Sequence, residues 1–309
     1  MRNYMIRRVG HSVLILGGLM ALLFFATNVL GDPVELLVGD DAVQEVVDAL
    51  RRKYGLDRPL HIRFADFYWN LLQGDFDRSI RLHIEARTLV FERLPNTAVL
   101  AAAAWGIGMI GIPIGMLAAR RPRGLVDRFV NVLTFAIISI PDFWLALMLV
   151  LLIAVQFELL PTSGFDGYGL SAWKFIVLPA LALSPRVLGR NAQITRATMI
   201  EELGKQYVAT ARSKGLAEGT ILYTHVLKNA AISIVTLMGD ELAGFMNGAT
   251  IVETIFGWPG LGALLIDAIN ARDLPVITAT VFVVALMVMA INLAVDIVYT
   301  YLDPRIQYK

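Results

Sequence analysis

The sequence predicts an all-α integral membrane protein with six transmembrane helices, an extracytoplasmic insert between the first and second, and a short cytoplasmic helix between the fourth and fifth. Three observations predict it. Of 309 residues, 57% are hydrophobic and 17% charged, with a mean hydropathy of +0.63, so the natural solvent of the chain is a bilayer. Its apolar residues fall in runs long enough to cross one, at 9–30, 96–118, 129–155, 174–195, 230–252 and 276–301. Its basic residues collect in alternate gaps between those runs, which sets an orientation.

Each run satisfies its own backbone hydrogen bonds as a helix, the open-ended structure that hydrocarbon tolerates. The first follows a short basic tail with Arg2, Arg7 and Arg8. It exceeds the apolar core of a cleaved signal peptide and ends in Asn28-Val29-Leu30-Gly31 without a small-x-small cleavage site, so it is expected to stay as a span. Residues 1–30 thus form a tail and span, 31–95 the insert, and 96–309 a core of five further spans with a polar loop at 196–229.

The insert holds twelve acidic and nine basic residues. Residues 42–54 and 62–72 carry apolar side chains at helical spacing, which predicts two short amphipathic helices in a unit too small for a full core. Phe64, Phe67, Tyr68, Trp69 and Leu72 belong either to an aromatic belt at the membrane surface or to a surface that receives an outside partner.

With the amino terminus inside, the cytoplasmic segments carry Arg2, Arg7 and Arg8, then Arg120, Arg121, Arg123 and Arg128, then the central loop, and finally Arg305 and Lys309. The short outer loops hold only Lys174 and Arg272. Both termini and the central loop are therefore expected to be cytoplasmic. Pro113, Pro141, Pro179 and Pro185 in or beside spans predict bends. Gly111 with Gly115, and Gly244 with Gly248, mark faces where another helix could approach closely.

Charge within the runs is costly. Arg186 and Arg190 lie one turn apart in the fourth, Asp240 and Glu241 are deep in the fifth, and Asp142 follows Pro141 in the third. Either these residues pair and lock helices together, or they line a passage and favour a charged or zwitterionic solute. Asp296, in the last run, reads as a structural partner. A hydrolase pair has little support, because no nucleophile or metal companion accompanies the acids. The chain has no cysteine, its four histidines have no metal-ligand spacing, and it lacks a GxxxxGK[ST] loop, so nucleotide hydrolysis by this chain is not expected. The glycines of Phe256-Gly257-Trp258-Pro259-Gly260-Leu261-Gly262 predict a tight outer turn leading into a short helix over 264–271.

The central island, residues 206–229, is cationic through Arg212, Lys214 and Lys228 and is broken by Gly215 and Gly219. From composition alone it is equally a basic loop near anionic headgroups or a docking element. Its run from Tyr207 to Leu216, with His225-Val226-Leu227-Lys228-Asn229 after it, resembles the EAA loop of ABC importer permeases, in the dipeptide, oligopeptide and nickel branch. Other stretches match in order: Leu94-Pro95-Asn96-Thr97, Ser139-Ile140-Pro141-Asp142-Phe143-Trp144, Leu160-Pro161-Thr162-Ser163-Gly164 and Thr195-Arg196-Ala197-Thr198-Met199. The matches end with the run from Val252 to Gly262 and with Asp296 to Arg305, so the resemblance covers essentially the whole chain.

The resemblance implies a permease without catalysis of its own, paired with a second, related permease, two cytoplasmic ATPase subunits and an external solute-binding protein. ATP and magnesium would then sit on the ATPases, and this chain would hold no cofactor. It implies that Tyr207, Ala209, Thr210, Ala211, Arg212, Lys214, Gly215 and Leu216 form a coupling helix in a groove of the ATPase. Ala209-Thr210-Ala211 stand where the name-giving triplet lies; its glutamate is absent here. Small side chains suit a groove, Arg212 and Lys214 suit acids on its rim, and Gly215 suits a sharp turn. The resemblance also implies that Trp258, Pro259 and Gly260 help close the passage on the outer side.

Overall fold

The computed structural model describes residues 2–29, 45, 57–169 and 171–302. The amphipathic helix expected over 42–54 and the carboxy-terminal Arg305 and Lys309 lie outside the described residues. The described chain is almost wholly helical: α1 Arg2–Val29, α2 Leu60–Gln73, α3 Ala86–Gly108, α4 Gly111–Ala119, α5 Leu125–Ile138 and α6 Asp142–Leu149. After α6 come a π-helical turn Val150–Gln156, α7 Trp173–Leu203 and α8 Gln206–Ser213. A short turn Glu218–Thr220 and a π-helical segment Ile221–Val226 lead into α9 Leu227–Gly248, followed by α10 Thr250–Ile255, α11 Leu261–Asn270 and α12 Leu274–Leu302.

Among the described residues, four helical stretches are long and apolar enough to cross a membrane: Ile6–Thr27, Ala86–Ala119, Glu218–Phe245 and Leu274–Val298. A fifth is broken. The run expected as one span over 129–155, with a bend at Pro141, is α5 and α6, meeting at 90°. The cause is Pro141, which has no N–H and disfavours the helical region for the residue before it, so α5 ends at Ile138 and α6 starts afresh at Asp142. Pro179 and Pro185, by contrast, sit inside α7 without ending it. At 31 residues α7 is long enough to span, but Arg186, Arg190 and Arg196 keep it less apolar than the others.

The chain divides into two compact units, one of Met1–Pro95 with Leu264–Leu286 and one of Asn96–Ala263 with Met287–Lys309. In the first, α2 packs its Phe64 and Phe67 on Phe24 of α1, ring centres 5.2 and 5.3 Å apart, and the Tyr68 hydroxyl donates to the carbonyl of Gly17. Buried Asp273 gathers the turn after α2: it accepts the Ser79 hydroxyl, the Ile80 N–H at 3.2 Å and the Arg81 N–H at 3.4 Å.

In the second unit α4 lies against α7 with almost no space between the backbones. A Cβ on Gly111 would stand 2.1 Å from the Leu188 carbonyl oxygen, and one on Gly115 2.4 Å from that of Ala192. This is the close approach that the Gly111 and Gly115 spacing predicts. Gly244 meets nothing within 4 Å. Asn191, fully buried in the same seam, donates to the Gly108 carbonyl at 3.1 Å.

Candidate functional site

Three groups of residues in the second unit bear on function. The first is α8. Lys205 enters it in an extended conformation, and Gly215 leaves it at φ +77°, a left-handed backbone that glycine adopts without steric cost. The turn is closed by the Gly215 N–H on the Arg212 carbonyl at 3.0 Å and the Leu216 N–H on that of Ala211 at 3.3 Å. Helical spacing then divides the side chains. Val208 and Ala211 are buried among Met116, Ala119, Met199, Ile221 and Val226. Tyr207 is half-buried and donates to Glu202 at 2.9 Å; burial above all, with Glu202 adding to it, holds its phenol above the usual tyrosine range.

The opposite face is open. Gln206, Ala209, Thr210, Arg212, Ser213 and Lys214 are exposed. Arg212 does not await a rim acid as a bare charge, because it makes a two-pronged pair with exposed Glu218 at 2.7 and 3.2 Å. The expected contact set therefore splits: Ala209, Thr210, Arg212, Lys214 and Leu216 face outward, whereas Ala211 belongs to the chain's own core.

The second group is the set of charges inside the helices. Arg190 reaches Glu241 at 2.5 Å and Asp240 at 3.9 Å, and Arg186 reaches Asp142 at 3.7 Å. The five residues singled out from the sequence thus converge from α6, α7 and α9. Glu241 is almost fully buried, while the Asp240 side chain is 71% exposed and that of Arg190 42%. A second ion pair escaped sequence reasoning: Arg196 grips Asp127, its Nη2 lying 2.9 Å from Oδ2. Asp127 is buried and also accepts the Arg123 N–H at 2.8 Å and the Asn131 amide at 3.0 Å. Arg196 stood in a matched motif, but nothing in linear spacing joins it to an acid 69 residues earlier.

The third group is the turn before α11. Gly257 adopts φ +57° and lets the chain reverse, and α11 begins three residues earlier than its sequence reading. The turn interlocks with the motif that runs from Leu94 to Thr97. Trp258 is buried and donates its indole N–H to the Asn96 carbonyl at 3.0 Å, and the Asn96 amide donates to the Pro259 carbonyl at 2.8 Å. At the centre is fully buried Glu253, a residue the sequence reading quoted within a motif without a role. Its carboxylate accepts the Thr97 hydroxyl at 2.7 Å and the Ala263 N–H at 3.0 Å, while the Thr97 oxygen accepts the Leu261 N–H at 2.7 Å. A buried carboxylate thus caps the first turn of α11, where unpaired N–H groups and the helix dipole favour negative charge. Gly260 is required beside it, since a Cβ there would lie 2.2 Å from the carboxylate.

Apolar helices that hold paired charges between them, with a small exposed cationic helix on a loop, are an arrangement suited to a membrane component, where charge within apolar segments has to be paired or solvated. The chain belongs to the family described as binding-protein-dependent transport system inner membrane component, whose model matches residues 111–308, and the companion N-terminal model matches residues 1–101. It is therefore a multi-pass inner membrane permease of that class. It is 35% identical over 316 residues to the oligopeptide transport system permease protein AppB of Bacillus subtilis (strain 168), covering 100% of both chains. It is 35% identical over 312 residues to the glutathione transport system permease protein GsiC of Salmonella typhimurium (strain LT2), again covering 100% of both. Among solved structures, the MetNI methionine ABC transporter in its inward-facing form shares the fold, with a TM-score of 0.56 at 18% identity over 70% of this chain and 96% of that one.

Proposed function

We propose that this chain is one of two permease subunits in an ATP-driven importer that takes short peptides from an external binding protein across a bacterial inner membrane. It has six passages: the four apolar helices, the bent pair α5 and α6, and α7, whose arginines have acidic partners within reach. Both termini and α8 are cytoplasmic, because the basic residues collect on that side. The second permease is a related chain, and two ATPase subunits bind below the pair. This chain catalyses nothing itself.

The observation that carries the reading is the division of α8 into an inner face, Val208 and Ala211, held in the core, and an outer face of small and cationic side chains left open. A helix fixed on one side and bare on the other transmits force from whatever grips it. ATPase closure would move α8, and the spans would rock between inward and outward openings, each populated according to its differential contacts. The charges on α6, α7 and α9 line the passage: an Asp240 carboxylate exposed at that depth needs water or protein rather than lipid around it. Charges of both signs suit a zwitterion, which favours peptides. The name of GsiC favours glutathione as the second reading, and nickel chelates, opines and oligosaccharides follow as further solutes of the same importer class.

The test is co-purification from native membranes through a tag on this chain, with mass spectrometry of the solute on the binding protein. Recovery of two ATPases and a peptide-loaded binding protein is expected. A chain that purifies alone and conducts without ATP would overturn the reading. Gly215→Arg, which strains the left-handed turn and places a long side chain on the gripped side, is expected to leave assembly intact while ATP hydrolysis continues without uptake.

A further inference from the structure

Four contacts in the first unit set the depth of α2 and of the turn that follows it. Gly17, whose carbonyl the Tyr68 hydroxyl reaches, lies ten residues before the end of the apolar stretch Ile6–Thr27. At a rise of about 1.5 Å per residue that is about 15 Å below the end of the span, close to mid-bilayer. A tyrosine side chain is too short to bridge that depth from the headgroups, so the backbone of α2 itself is sunk. The Phe64 and Phe67 rings meet Phe24, inside the same span. Independently, the Phe76 ring, just past the left-handed turn at Gly74, sits 5.4 Å from that of Phe282, eight residues into the apolar stretch Leu274–Val298.

The composition of α2 is graded along the same axis. Its approach and first half carry Arg58, His61, Arg63 and Asp66, with Arg58 and Asp66 paired at 3.1 Å. From Phe67 to Gln73 there is no charge. The face turned toward α1 is Phe64, Phe67, Tyr68 and Leu71; on the opposite face Trp69 is 66% exposed and Leu72 79%. On α1, too, the apolar side chains of Leu14, Ile15 and Leu22 are open. Two large apolar side chains, uncovered and at hydrocarbon depth, are stable only against hydrocarbon.

We propose that α2 is not part of a solvated insert but dips into the leaflet at the carboxyl end of α1, with Trp69 and Leu72 against lipid acyl chains and its charged first half among the headgroups. That leaflet is the outer one on the orientation proposed above, on which the location alone depends. The chain has no cysteine, so Leu72→Cys and His61→Cys each install a single thiol for a nitroxide in this subunit, at exposed positions whose labelling leaves packing intact.

In the complete transporter, with cysteines of its partners replaced and reconstituted in phospholipid vesicles, collision with dissolved oxygen is expected to exceed collision with a water-soluble nickel chelate at position 72. The order reverses at position 61. Nickel access at 72 overturns the proposal in favour of a solvated helix. Shielding of 72 from both reagents overturns it in favour of a protein partner. Equal accessibility at the two positions overturns the dipping geometry. Because the readout needs no uptake and reports depth from either side, it stands or falls separately from the importer reading and its orientation.

Discussion

Glu253 and Thr97 form a relay with a fixed direction. The Leu261 N–H donates to Thr97, the Thr97 hydroxyl donates to one carboxylate oxygen, and the Ala263 N–H donates to the other. Each oxygen of Glu253 therefore faces a donor, and an amide cannot replace it without pointing its NH2 at one of them. Thr97→Val strips the relay of its middle member, taking the acceptor from the buried Leu261 N–H and one donor from the carboxylate, at a cost of about 1–3 kcal/mol. The expected outcome is a lower melting temperature for Thr97→Val in purified complex and near wild-type behaviour for Thr97→Ser. Glu253→Gln should lose less on the Thr97→Val background than alone, because the two residues share one network. Additive losses would show that the contacts are incidental. Asp127 with Arg196 is the second such pair. Asp127→Ala leaves a guanidinium short of its partner and is expected to lower yield more than the double change Asp127→Ala with Arg196→Met, which removes both charges.

At the scale of elements, the legible part was what repeats along a helix. Apolar runs and glycine pairs declare themselves within a few turns, so the four apolar helices and the seam at Gly111 and Gly115 could be read directly. Both GxxxG pairs look alike in sequence, yet Gly111 and Gly115 sit on another helix of this chain while Gly244 meets nothing within 4 Å, because which neighbour a face meets depends on how the helices assemble. The 90° break at Pro141 was visible as a proline but not as an angle, since Pro179 and Pro185 leave α7 whole. The Glu253 and Asp127 networks were hidden for a different reason: their partners lie 156 and 69 residues away, and periodicity carries no information at that range. The glycine contrast is testable. Gly111→Ala or Gly115→Ala puts a methyl on backbone oxygen and must force α4 from α7, so membrane-inserted yield is expected to fall severalfold. Gly244→Ala, facing open space within this chain, is expected to leave the folded subunit unchanged when its proteolytic resistance is compared with wild type.

For the whole molecule, the central question is which surface of α8 belongs to this chain and which belongs to another protein. A basic loop attracted to headgroups would tolerate bulk anywhere on its face, whereas a helix gripped in a groove would not. Ala209 and Ala211 separate the possibilities because they are two positions apart, carry the same side chain, and differ in burial. Ala211→Trp drives a large ring into the cluster around Met116, Met199 and Val226, where overpacking costs about 1–3 kcal/mol or more, so loss of the folded chain itself is expected. Ala209→Trp meets no atom of this chain's core. On the coupling reading it leaves expression and melting temperature near wild type while abolishing recovery of the ATPases, and with it uptake. On the headgroup reading the tryptophan would sit comfortably in the interface, and both recovery and uptake would persist. A pull-down of the two variants beside their melting curves thus decides whether the open face of α8 is a docking surface or only a polar loop near lipid.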